Sequence, residues 1–292
     1  IGAFVERIKF SAMLIFLSMW LLVVYVPVTH WVWGGGILSS WGTMDFAGGI
    51  VVHATAGTAA LVTALTLGKR RGFPKSITPP HSPILTMIGA SMLWIGWFGF
   101  NAGSALGANG GAGMAMLVTH ISAATASLVW MFIEWRRFGK PSLIGIVTGM
   151  VAGLATVTPA SGYIGVPGGL VLGFFGGLFC YLAVDYIRGK LQIDDSLDVF
   201  AVHGVGGILG TLLVAFLATS TFSGLGLAEG QTAVSQFFVQ LKAVVLTVVW
   251  TSVFTYLILK ITSFIVPLRV DEQEEIEGLD LRSHGEKGYH SD

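Results

Sequence analysis

DFAGGIVVHATAG, residues 45–57, sets an aspartate and a histidine in a run that is otherwise apolar and rich in small residues. A second stretch, DVFAVHGVGG (198–207), repeats the pattern. The surrounding composition identifies hydrocarbon as their setting. Of the 292 residues, 53% are apolar and only 11% are charged, more apolar surface than a soluble domain of this size keeps dry. The 40 glycines suit the close helix crossings of membrane bundles. Titratable groups in such a setting are expensive and are retained for interior contacts or for function.

Windows of about 20 apolar residues, the length that crosses ~30 Å of hydrocarbon, fall at 10–32, 46–68, 84–106, 113–135, 142–159, 166–187, 198–219 and 236–266. Eight spans are therefore predicted, the last long enough to need a tilt or a bend. The connections alternate in charge. Arg7 and Lys9 precede the first span, and Lys69, Arg70, Arg71 and Lys75 follow the second. Arg136, Arg137 and Lys140 follow the fourth, Arg188 and Lys190 the sixth, and Arg269, Arg282 and Lys287 the eighth. The loops at 33–45, 107–112, 160–165 and 220–234 carry no Lys or Arg. By the positive-inside rule, both ends of this chain are cytoplasmic and the bare loops face outward. Lys260 snorkels to the inner surface, and Lys242 is left within a span. Glycine ladders (Gly145, Gly149, Gly153; Gly169, Gly173, Gly177; Gly206, Gly210) are read as helix packing.

The single cysteine, Cys180, excludes a disulfide framework and a cysteine metal cluster. Zero net charge speaks against a nucleic-acid partner. The opening IGAFVERIKF has neither a methionine nor a signal peptide, and reads as the continuation of a longer chain.

His53 lies in a span running inward and His203 in one running outward, each after an aspartate, Asp45 or Asp198. Matching polar signatures on opposed helices suggest an inverted repeat with its site near the midplane. Five residues separate Asp198 from His203 and eight separate Asp45 from His53, so the match is imperfect. One intramembrane histidine is as well explained by a hydrogen bond between helices; two on opposed helices favour function. Two imidazoles fall short of the three or four ligands of a zinc site, and one pair does not make a multihaem bundle. No metal and no cofactor is expected.

The outer end of the first span reads HWVWGGG (30–36), and the third ends in WIGWFGFNAGSAL (94–106). Trp31 and Trp33 suit either the interfacial aromatic belt or a binding mouth. Trp97, Phe98, Phe100, Asn101 and Ser104 approach the same side of the membrane. Aromatic faces with a hydroxyl suit a small cation, which the ring quadrupole attracts and the oxygen hydrogen-bonds. Without a carboxylate clamp, a divalent ion fits poorly.

These motifs resemble the ammonium transporter family (Amt/Mep/Rh), on its Amt branch: WGGG (33–36), DFAGG with VVH (45–53), GWFGFNAGS (96–104), TPA and GYIG (158–165), DVF, VHG and GG (198–207), and EGLD with SHGE (277–286). The resemblance runs from Gly2 to Tyr289. It implies an all-α polytopic membrane bundle of two inverted five-span repeats, with eight of the family's eleven spans present and three missing from the N-terminus. The implied transmembrane domain is 1–268 and the cytoplasmic tail 269–292. The resemblance further implies a homotrimer in the cell membrane. Trp33 and Ser104 would form the outer ammonium site, Phe100 one of two gating phenylalanines, and His53 and His203 the pore pair. Asp45 would be the acid beneath the recruitment site and Asp198 its cytoplasmic-side counterpart. The tail resembles one that couples subunits and, in some members, supports a PII-type regulatory protein. By composition alone it reads as solvated and partly disordered.

Moving a compact cation into a medium of low dielectric costs of order 20 kcal/mol in the Born limit. Desolvation favours the neutral form of any base, so the expected course is recruitment of ammonium, loss of its proton, and passage of ammonia past the histidines. Transport is electrogenic if the proton also crosses and neutral if it stays outside. A sensor built on the same fold, an intramembrane enzyme and a passive water or gas channel are the rival classes. The short tail argues against a sensor with its own signalling domain, and no protease-like pair or cofactor loop supports an enzyme.

Overall fold

The computed structural model describes residues 1–76 and 79–289. Of the tail expected at 269–292, residues 290–292 lie outside the described residues. Regular structure among the described residues is helical, apart from one antiparallel bridge between Ile8 and Arg269.

Helix α1 (Phe10–Trp20) runs through a π-helical turn (Leu21–Tyr25) into α2 (Val26–Trp33), and a short α3 (Ile37–Ser40) follows. A π turn (Gly49–Ala54) opens α4 (Thr55–Leu67). Then come α5 (Pro83–Gly103), α6 (Gly110–Phe138), α7 (Leu143–Val157) and α8 (Val166–Val184), the last extended by a π turn (Asp185–Lys190). Another π turn (Phe200–Gly204) opens α9 (Val205–Leu217), a 3-10 turn (Ser220–Phe222) follows, and then come α10 (Ala233–Ile265), α11 (Glu272–Glu277) and a last π turn (Asp280–His284).

Seven of these helical stretches among the described residues are long and apolar enough to span a membrane. The remaining predicted span, the fifth (142–159), is the shorter α7, 15 residues, ~22 Å at 1.5 Å per residue. It begins at Ser142, whose hydroxyl accepts the Gly145 N–H at 2.9 Å. It ends at Val157, with Thr158 still in helical geometry, because Pro159 has no N–H with which to extend the ladder. At the other extreme, the 33 residues of α10 exceed the ~30 Å core by about two thirds, so a tilt or an overhang is unavoidable.

The glycine ladders bring α7 and α8 onto α6. A methyl group on Gly149 would lie 2.8 Å from the Ala126 carbonyl, and one on Gly173 would lie 2.6 Å from that of Ser122. Backbones therefore touch, and the Ser122 hydroxyl donates across the gap to the Gly153 carbonyl at 2.8 Å. Apolar helices in lipid gain little from burying apolar surface, so such close van der Waals fit holds the bundle together.

Both described termini of the bundle meet at one end, where a charged node ties the chain. Arg7 is fully buried. It donates to the Ser196 hydroxyl at 2.9 Å and to the Asp194 carbonyl. The Asp194 carboxylate accepts from Arg70 at 2.8 Å, and Arg70 also contacts Glu6. Burial works against charge on Asp194, but the Arg70 hydrogen bonds and the charges of Arg70 and Arg7 outweigh it and hold this carboxyl below its ordinary value. The tail joins the same end. Glu275 on α11 accepts from Arg269 at 2.7 Å and from the Arg71 N–H at 2.7 Å.

Candidate functional site

Asp45 is buried, and its carboxylate accepts four consecutive backbone N–H groups: Gly48 at 2.9 Å, Gly49 at 2.6 Å, Ile50 at 2.8 Å and Val51 at 3.1 Å. Helix N-termini leave such donors without partners and carry partial positive charge, so one buried acid anchors the start of the π turn. Gly48 supplies the left-handed step into it at φ 119°, and His53 sits near its end.

The opposed helix repeats the device. Asp195, eight residues before His203 as Asp45 is eight before His53, accepts the Phe200 N–H at 2.7 Å. Asp198 takes the place of Gly48, in the left-handed region at φ 54°, a conformation aspartate tolerates better than most side chains. The Asp198 carboxylate turns away and receives Arg188 at 2.7 Å. The capping acid on this side is thus Asp195, and the mismatch of five residues against eight read from the sequence disappears.

The two π turns cross where glycines allow it. A methyl on Gly57 would collide with the Gly204 backbone, and one on Gly207 would lie 2.8 Å from the Gly49 carbonyl and against His53. Contact at this range brings the imidazoles together, with Nδ1 to Nδ1 at 3.2 Å and ring centroids at 5.2 Å. Trp97 on α5 stacks on both, at 5.3 Å and 17° from His53 and at 6.4 Å and 14° from His203. Its indole N–H donates to the buried Thr158 hydroxyl at 3.0 Å, which fixes the ring. Phe100, one helical turn further along α5, lies 6.1 Å from His53 and 5.5 Å from Trp97.

Of the residues expected outside this pair, Trp33 donates its indole N–H to the Asp45 carbonyl at 2.8 Å and remains 45% exposed. Ser104 donates to the Phe100 carbonyl at 2.9 Å, leaving its oxygen lone pairs for an incoming donor. The α5 residues grouped at the outer end by sequence separate by helical phase. Trp97 and Asn101 face inward, Asn101 donating to Thr119 at 2.9 Å, whereas Phe98 lies beside His120 at 6.1 Å. His53 Nε2 is buried and has no hydrogen-bond partner among the described residues. The pair shares one hydrogen through Nδ1. The donor ring therefore keeps a lone pair on Nε2 and the other ring keeps an N–H there.

A bundle of membrane-length helices with an aromatic-walled imidazole pair in its interior defines a multi-pass membrane protein with a built polar site inside hydrocarbon. The chain belongs to the Ammonium Transporter Family, whose model matches residues 1–289. Ammonium transporter Amt1 of Archaeoglobus fulgidus is 48% identical over 291 residues, an alignment covering 99% of this chain and 73% of that protein. An ammonium transporter of Aquifex aeolicus is 46% identical over 289 residues, covering 99% of this chain and 67% of that one. Among solved structures, a sensor Amt protein superposes with a TM-score of 0.90 at 30% identity, over 97% of this chain and 72% of its own. Mep2 of Saccharomyces cerevisiae superposes at 0.81 with 34% identity, over 92% of this chain and 62% of its own.

Proposed function

We propose that this protein carries ammonium across a membrane by recruiting the cation outside, removing its proton and passing ammonia over the histidine pair. The observation that carries the reading is the His53–His203 pair, one ring buried and the other half-buried, 3.2 Å apart under Trp97 and Phe100. Trp33 offers a ring face and Ser104 an oxygen, which together replace part of the cation's water shell. Past Phe100 the walls are aromatic and apolar, too poor in oxygen to keep replacing it. Charge is the costly component there, so the proton leaves and the neutral base proceeds. The paired rings offer ammonia one acceptor and one donor, and exchange of their tautomers reverses the two roles.

Asp45 orients the Trp33 indole through its carbonyl and the His53 turn through its carboxylate. Asp198, held by Arg188, belongs to the inner end, beside the capping Asp195. The assembly proposed is a homotrimer in the cell membrane with the tail cytoplasmic. Glu275 anchors that tail to Arg269 and Arg71, leaving α11 as a surface for a PII-type regulator.

Concentration-dependent methylammonium uptake into proteoliposomes tests the reading. Trp33→Leu and Ser104→Ala raise the apparent KM, and His53→Ala lowers the maximal rate. Unchanged kinetics in all three would refute it. A second reading, a sensor that reports ammonium without moving it, draws on the 0.90 TM-score to the sensor Amt protein. Wild-type protein that binds methylammonium but yields no uptake would favour the sensor.

A further inference from the structure

The outer loop that delivers Asp45 is held by an unusual partner. Gln240, on α10, is fully buried. Its side-chain carbonyl accepts the Met44 N–H at 2.8 Å, and its amide donates to the Met44 carbonyl at 2.7 Å. One side chain thus pairs with both backbone groups of the residue preceding Asp45, as a neighbouring strand would. The amide also donates to the Thr211 carbonyl on α9 at 3.0 Å, which ties the loop to the helix that carries His203. Gln236, one turn outward on α10, donates to the Gly42 carbonyl at 3.0 Å and to Gln240 at 3.2 Å. Lys242 lies over the Trp41 ring at 3.8 Å. The ammonium group left unexplained within a span by the sequence is thereby placed against the same loop. Three side chains of α10 therefore grip residues 41–44.

We propose that Gln240 is a positioning residue for the outer cation site. The geometry has a direction. Met44 leads into Asp45, the Asp45 carbonyl fixes the Trp33 indole, and the Asp45 carboxylate fixes the turn that ends at His53. A loop free to slide by a fraction of an ångström would misplace the Trp33 ring face without touching the ion. Hydrocarbon makes the device effective, because a buried backbone N–H or carbonyl without a partner is costly and the amide satisfies both at once. Glutamate, of the same size, still accepts from Met44 N–H but loses both donations, and leucine loses all four bonds.

This inference rests on the cation-site reading of Trp33, and the experiment separates the two. Methylammonium KM and maximal rate are measured for wild type, Trp33→Leu, Gln240→Leu, Gln240→Glu and Thr255→Val, each normalised to the amount of protein in the membrane. Thr255 lies on the same helix and accepts the Trp20 indole N–H at 3.0 Å, so its variant reports the loss of a hydrogen bond on α10 away from this loop. The expected result is a KM raised about tenfold in both Gln240 variants, the scale of one net hydrogen bond, with a little-changed maximal rate and no KM shift in Thr255→Val. Gln240 variants with wild-type KM, beside a raised KM in Trp33→Leu, overturn the positioning role and leave the site standing. A wild-type KM in Trp33→Leu overturns the site and the inference together. Absence of both Gln240 variants from the membrane also overturns the inference, since the residue then serves insertion.

Discussion

His53 and His203 share a hydrogen between Nδ1 atoms 3.2 Å apart, although they lie 150 residues apart in the chain. The approach depends on Gly57, whose missing side chain lets the Gly204 backbone sit against it. Gly57→Ala is expected to separate the imidazoles at an overpacking cost of about 1–3 kcal/mol. Proteoliposome uptake should fall sharply while the protein still reaches the membrane. Gly189→Ala, where a methyl group meets nothing within 4 Å, should transport normally; equal effects from the two would remove the packing explanation.

Asp45 gathers four N–H donors. Asp45→Ala leaves them buried without partners and should cost about 3 kcal/mol or more. Asp45→Asn keeps one accepting oxygen and should cost less. Melting temperatures of the detergent-solubilised protein give the order wild type, then Asn, then Ala. An alanine variant as stable as wild type would show that the cap contributes nothing.

The node at Asp194 yields a pH dependence of known sign. Its folded pKa lies below the ordinary carboxylate value, so the folded state binds fewer protons than the unfolded one. That contribution is complete above about pH 4, the unfolded value, and disappears as pH falls through the folded pKa. Acid should therefore lower the wild-type melting temperature. Asp194→Asn should be about 3–5 kcal/mol less stable at neutral pH, because Arg7 keeps a buried and poorly compensated charge. It should also lose that part of the acid slope, and an unchanged slope would contradict the assignment.

Hydropathy was enough to locate the helices, because a run of about 20 apolar residues has few other uses. It overestimated α7, whose end is set by Pro159 rather than by polarity. The histidines stood out because so little else in the spans is ionisable. The π turns that carry them left no trace in composition, since an added residue in a turn depends on how Asp45 and Asp195 cap it. The counterpart of Asp45 is legible in the eight-residue spacing from Asp195 to His203, although the DVF motif points instead to Asp198. Trp97 was visible as an aromatic near the outer end, yet its stacking on both imidazoles depends on a helix crossing that no local pattern records. Gln240 had no signal at all, because its partner is backbone.

Potassium carries the same charge as ammonium but has no proton to give up. Parallel flux of ammonium and potassium through the same wild-type proteoliposomes is therefore the most direct measurement of whether charge is shed before the histidine pair. The account predicts saturable ammonium-dependent uptake with no potassium flux above protein-free liposomes. Potassium crossing at a rate comparable to ammonium would contradict it.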